Sequence, residues 1–191
     1  MYYFNGKWAI FNQDLQNFPS QTKYNILIEP PGPLAFRHTA TLITEGHSVI
    51  DHPSLNYNRD TKFIVGQFWT SPGIYNNNPV GIKYITNRWC IVNMNGSPIP
   101  FNSKYNIFID YKIFQAGTIT PSSGITNASI INNNLLDNHP YAIVFNTPIK
   151  NYYSTHNNFE TGVKYQNNHW YISNPTAALL GSNARFNIFS L

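Results

Sequence analysis

Charge is scarce in this chain. Only 10% of its 191 residues are Asp, Glu, Lys or Arg, against roughly a quarter in ordinary soluble domains. The twelve Lys and Arg residues are scattered singly, so the basic stripe that holds nucleic acid is missing and no such partner is expected. The net charge of +4 reads as a solubility term. Cysteine occurs once, at Cys90, so no internal disulfide can form. Cys90 directly follows Trp89 in a strand-like run and reads as a buried, inert thiol. No apolar run approaches the roughly 20 residues that a membrane-spanning helix needs. The first residues, MYYFNGKW, lack the basic start and apolar stretch of a signal peptide. HxH, HExxH and CxxC spacings are missing, as is a phosphate-cradling glycine loop. No metal and no cofactor are expected.

Aromatics and amides supply what charge does not. Thirteen Tyr, thirteen Phe and four Trp can bury a large apolar area, which excludes a disordered chain. Asn occurs 28 times, about one residue in seven. Much of this content is repetition. Tyr3–Ile28, Tyr84–Ile109 and Tyr165–Ser190 align without gaps at a spacing of 81 residues. Trp8, Trp89 and Trp170 share one position, Asn12, Asn93 and Asn174 a second, and Asn25, Asn106 and Asn187 a third. Tyr24, Tyr105 and Phe186 share an aromatic position, and Ile26, Ile107 and Ile188 an aliphatic one.

The connecting segments repeat more loosely. Ile50 aligns with Ile131, Leu55 with Leu136, Asn77 with Asn158 and Gly81 with Gly162. Matching Phe63–Val65 to Ala142–Val144 needs a local slip from the 81-residue spacing. The chain thus holds three Trp segments and two connecting segments. It divides into an N-terminal half repeat, 1–29, and two full repeats, 30–110 and 111–191.

The runs KWAIF, RWCIV and HWYIS are short, aromatic and β-branched, and YNILI, YNIFI and FNIFS alternate as half-buried strands do. Further strands are predicted at Thr39–Thr44, Lys62–Phe68, Val80–Ile85, Lys112–Gln115, Ile125–Ile131, Tyr141–Phe145 and Gly162–Tyr165, with a turn or two of helix at most at Pro175–Leu180. The class is all-β, in tandem antiparallel sandwich or barrel-like repeats of about 81 residues. The repeated Trp is expected as a core anchor whose N–H finds a partner. The Asn four residues later falls at a strand end, where a side-chain-to-backbone turn bond is expected. Asn25, Asn106 and Asn187 sit inside strands, so they face water or join a bonded polar network.

KWAIFNQD with YNILI, IDHPSLN at Ile50–Asn56, FIVGQFW ending at Trp69, and YNNNPVGIKY at Tyr75–Tyr84 resemble an uncharacterised bacterial tandem-repeat family. That family's unit reads WAIFNQD then FNVLV, with IDHPLLN and YNNHPVGVYY, in multi-repeat proteins that are exported or at the surface. The resemblance is strong over residues 1–95 and weak after about 110. It implies an all-β repeat module and lends no catalytic residue. The last unit departs from the pattern: IDHP becomes INNN at Ile131–Asn134, and Asp14 becomes Asn95 and then Thr176.

His38, His47, Asp51 and His52 are the candidates for acid–base or metal chemistry, but Asp51–His52–Pro53 reads better as a turn clasp with the carboxylate accepting backbone N–H bonds. The carboxylates needed in pairs for sugar hydrolysis are hardly repeated, so no enzyme is expected. Carbohydrate binding is better supplied. Trp69, Tyr75, Asn76 and Asn77 combine aromatic faces with amides in one loop, with Asp51 and His52 as added candidates. The competing reading packs Trp69 in the core and spends the Asn residues on turns. The expected function is non-enzymatic recognition or adhesion, secreted or at the cell surface, with a glycan as partner. The rival is a self-assembling fibre, sheath or matrix subunit that uses strand edges.

Overall fold

A computed structural model describes residues 2–10, 17, 23–69, 73–117, 127–150, 157–176, 178–181 and 184–191. Among them there are fifteen strands and no helix. The Trp segments supply hairpins and closing strands: β1 (Tyr2–Phe4) and β2 (Lys7–Ala9), then β7 (Val80–Ile85), β8 (Arg88–Asn93) and β9 (Lys104–Ile109), then β13 (Gly162–Gln166), β14 (His169–Ser173) and β15 (Arg185–Ser190). The connecting segments supply β3 (Ala35–Thr39), β4 (Ile43–Thr44), β5 (His47–Val49) and β6 (Phe63–Phe68), then β10 (Phe114–Gly117), β11 (Ala128–Ile130) and β12 (Val144–Ile149). Pro175 and Thr176 form a turn where a short helix was expected, because Asn174 at the strand end bonds across it instead.

Each hairpin closes over two residues, since Phe4 faces Lys7, Ile85 faces Arg88 and Gln166 faces His169. Such turns need left-handed backbone at both central positions. Asn5 and Gly6, Thr86 and Asn87, and Asn167 and Asn168 all have positive φ, from 45° to 74°. Part of the Asn excess is therefore turn chemistry, at a repeat position the sequence reading passed over.

The closing strands alternate. Tyr105, Ile107 and Ile109 of β9 join Ile50, Leu55, Phe63 and Trp89 in one core, while Phe186 and Ile188 of β15 join Ile131, Leu136, Val144 and Trp170 in a second. Each such side chain contributes about 1.5–3 kcal/mol on burial. Trp89 Nε1 donates to the Asn58 carbonyl and Trp170 Nε1 to its repeat mate, the His139 carbonyl, both at 2.9 Å. Trp8 departs from the core-anchor expectation and is largely exposed.

Register corrects the alignment. Val65 pairs with Ile107 and Asn146 with Ile188, so β6 and β12 correspond at the plain 81-residue spacing and no slip exists. The strand expected at Tyr141–Phe145 starts at Val144 and runs through Pro148 to Ile149. Proline supplies no ladder N–H, which is why the sequence pattern stopped short of it.

The repeats share sheets. Order β10-β15-β12-β7-β8-β5-β4 makes one seven-stranded sheet from both units, and β3-β9-β6 and β11-β14-β13 make two of three strands. All pairings between these strands are antiparallel except β12 with β7, where Ile149 lies parallel to Ile82 and Lys150 N donates to the Ile82 carbonyl at 2.8 Å. The opposite faces of the closing strands meet across the units. Leu27, Phe108 and Phe189, three repeat mates, gather in one cluster with Ile64, Ile113 and Phe145. Asn187 Nδ2 donates to the Phe63 carbonyl at 3.0 Å, and Asn25 Nδ2 to that of Val144, the repeat mate of Phe63, at 2.8 Å. Asn106, the third member, is half-buried on β9 and pairs with Arg37 and Gly66 in the ladder.

Candidate functional site

Trp69 follows β6 directly, and its ring stacks on Tyr75 with centroids 5.1 Å apart and planes 11° apart. Tyr2 meets Trp69 edge-on at 5.7 Å, Trp8 leans on Phe68 at 5.8 Å, and the Arg37 guanidinium sits 3.9 Å over the Phe68 ring. Beside these rings lies a cavity of about 440 Å³, whose described lining includes Thr39, Phe68, Trp69, Ile74, Asn102 and Lys104. Two aromatic side chains with one ammonium, one amide and one hydroxyl can hold a small polar ligand that also has apolar C–H faces. The second repeat does not reproduce this corner, because Lys150 stands in place of Trp69 and Ile149 in place of Phe68. Lys150 instead donates to the carbonyls of Asn93 and Met94, at 3.2 and 3.1 Å. Burial, with Lys83 nearby, lowers its pKa.

The structure separates the two neighbouring amides. Asn77 is exposed, while Asn76 is buried and engaged. Asn76 Nδ2 donates to Asn93 Oδ1 at 2.8 Å and to the Tyr105 hydroxyl at 3.0 Å, and its Oδ1 accepts from Asn78 Nδ2. Asn93 Nδ2 donates onward to Ser97 Oγ and the Pro98 carbonyl. The second repeat rebuilds the pair: Asn174 Nδ2 donates to Asn157 Oδ1 and to the Ala178 carbonyl, both at 2.9 Å. Asn76 thus ties its loop to β8 and β9 through Asn93 and Tyr105. The signal was in the sequence, since Asn76–Asn93 and Asn157–Asn174 have the same separation of 17. Asn12 lies outside the described residues.

Asp51 and His52 belong to the turn after β5 and are employed there. Asp51 Oδ1 accepts from Asn56 Nδ2 at 2.7 Å, and His52 Nδ1 accepts from the Ser54 N–H at 3.3 Å. The clasp therefore forms with partners other than the backbone N–H groups expected for Asp51. The His52 ring also stacks on Phe36 at 3.9 Å. Asn133 Oδ1, at the His52 position, takes the Leu135 N–H in the same way. Imidazole and amide here perform the same job, accepting the backbone N–H two residues on.

One pair escaped the sequence reading. His38 Nε2 and Ser48 Oγ are 2.7 Å apart, the spacing of a nucleophile and its base. Ser48 is fully buried, and desolvation lowers the His38 pKa to about 4. No spacing in the sequence flags the pair, because β3 and β5 meet only in the fold. Cys90 is buried, which raises its thiol to about 11. Among the described residues no three His, Cys, Asp or Glu side chains gather as metal ligands, and no helix is long and apolar enough to cross a membrane.

The model of one protein family, Domain of unknown function (DUF7452), matches residues 1–109 and again residues 104–190. The chain belongs to this family. Its two matches meet on β9 and cover both repeats. No curated protein and no solved structure matches the chain.

Proposed function

We propose that this chain is a non-enzymatic recognition module of a secreted or surface protein, and that the Trp69 cavity takes a carbohydrate or a like cell-surface ligand. The observation that carries this reading is an aromatic corner with polar groups at its rim, found in one repeat and replaced in the other. Positions that serve the fold recur every 81 residues, as Trp89 and Trp170 do. Positions that serve a ligand are free to differ. Tyr75 and Asn77, both exposed, widen the surface a sugar would meet. A glycan array followed by titration of tryptophan fluorescence tests the reading. Binding that falls about tenfold or more in Trp69→Ala and Lys104→Ala is the expected result, and flat responses across the array would sink it.

Self-assembly through strand edges is the second reading, supported by β13, which pairs only with β14 among the described residues. Concentration-dependent sedimentation or visible fibres would favour it over recognition.

A further inference from the structure

Where glycine follows asparagine, the backbone can react with the side chain before it. Glycine has no side chain to screen its N–H, and its backbone swings freely. Its nitrogen can therefore reach the amide carbon of the asparagine. This chain has two such pairs, Asn5–Gly6 and Asn95–Gly96. Both are exposed and both lie in turns. Their surroundings differ.

Asn5 and Gly6 are the central residues of the β1–β2 hairpin turn, with φ of 48° and 74°. Among the described residues nothing donates to the Asn5 amide oxygen. Asn95 and Gly96 follow β8. Asn95 Oδ1 accepts from the Ser97 N–H at 3.1 Å and from the Ser97 hydroxyl at 2.7 Å. The first bond closes a turn of side chain onto backbone, and inside that ring the amide carbon is folded toward the Gly96 nitrogen. The two donors stand where negative charge grows when the carbon is attacked, as those of an oxyanion hole do.

A cation stands close as well. Lys150 Nζ is 3.9 Å from where a Cβ on Gly96 would be. It shares the Asn93 carbonyl with the Gly96 N–H, at 3.2 and 3.0 Å. A positive charge beside a peptide N–H favours its deprotonated form. The second repeat carries no such set in its sequence, since Thr176, Ala177 and Ala178 take the three positions.

We propose that Asn95 is a self-modifying site, in which the Gly96 nitrogen attacks Asn95 Cγ with assistance from Ser97 and Lys150. The Gly96 nitrogen gives its proton to solvent hydroxide and bonds to Cγ. The Cγ–Nδ2 bond breaks, and Nδ2 takes a proton from water and leaves as ammonia. A water molecule then opens the cyclic imide at one of its two carbonyls, leaving aspartate or isoaspartate. The net change is amide plus water to acid plus ammonia, with no oxidant or reductant. The aspartate product matches Asp14, which holds this position in the first segment's sequence.

The reaction also cuts a tie. Asn95 Nδ2 donates to Asn78 Oδ1 at 2.8 Å, joining the turn after β8 to the loop of residues 75–79. A carboxylate has no hydrogen to offer Asn78 Oδ1. Asn78 keeps its bonds to Asn76 Oδ1, so the loop stays folded and loses its link to that turn.

Ageing the native protein at mildly alkaline pH, with peptide mapping by mass spectrometry, tests this. Asn95 should turn to acid about tenfold or more faster than Asn5 in the same sample. In urea-unfolded protein the two should react at similar rates, and Asn95 more slowly than in the native chain. Ser97→Ala should slow native Asn95 about tenfold, and Ser97→Thr, which keeps the hydroxyl, should restore it. Asn93 Nδ2 still has the Pro98 carbonyl in Ser97→Ala, and circular dichroism checks the fold of both variants. Three results would overturn the proposal: Asn5 keeping pace with Asn95 in the native protein, Asn95 reacting as fast in urea as in the native state, or an unchanged rate in folded Ser97→Ala. The urea comparison needs no variant and decides even where Ser97→Ala does not fold. None of these outcomes bears on the Trp69 cavity, which the glycan titration reads separately.

Discussion

Thr86 is a β-branched residue held at φ 45°, while its mates in the other hairpins are Asn5 and Asn167. Left-handed backbone costs an ordinary L-residue roughly 1–2 kcal/mol, and Asn or Gly much less. Thr86→Asn should therefore raise stability by about 1 kcal/mol, read as a higher thermal midpoint with an unchanged circular dichroism spectrum. His38 sets a pH limit. Its pKa falls from the ordinary 6.5 to about 4 because burial penalises the cation. Between those values the unfolded chain binds a proton that the folded chain refuses. Stability is then fully present above about pH 6.5 and falls as the pH drops toward 4. Allowing for partial solvent screening, the loss is on the order of 2 kcal/mol. Denaturant melts at pH 7 and pH 4.5 should show that difference in the native protein and a smaller one in His38→Gln.

At the scale of elements, the informative junction is β12 against β7. It sits where one repeat lends a strand to the sheet of the other. Gly81 must stay bare for the Pro148 carbonyl to approach, and its mate Gly162 meets no such neighbour among the described residues. Gly81→Val should cost about 1–3 kcal/mol or more through overpacking, and Gly162→Val well under that, as paired urea melts would show. A similar loss in both would mean that β13 is already covered. This junction was illegible in the sequence. Hairpins, closing strands and both cores could be read from the 81-residue spacing and the alternation of Tyr105, Ile107 and Ile109, because local pattern dictates them. Which strand lies beside β7 depends on a partner far along the chain, and Pro148 hid even the existence of that strand's second half.

For the whole molecule, the same limit governs the candidate site. Trp69 and Tyr75 were legible as a pair because a single loop holds them. Asn76, next in sequence, turned inward to Asn93 and Tyr105, and only its repeat mate Asn157 could have shown that. Trp8 carried the opposite lesson: the Trp position that is buried in the second and third segments is largely exposed in the first. The two-residue hairpin turns have a consequence in time. Hairpins closed so tightly form in about 1–10 μs, so β1–β2, β7–β8 and β13–β14 form ahead of the long-range pairings. The β12 strand must then find β7 across a long stretch of chain, a step that topology makes slow. Until it does, β7 waits as a bare edge, the arrangement most open to misassociation. Lys83 on β7 and its mate Lys164 on β13 put a charge in the middle of both strands, which discourages stray pairing through that wait.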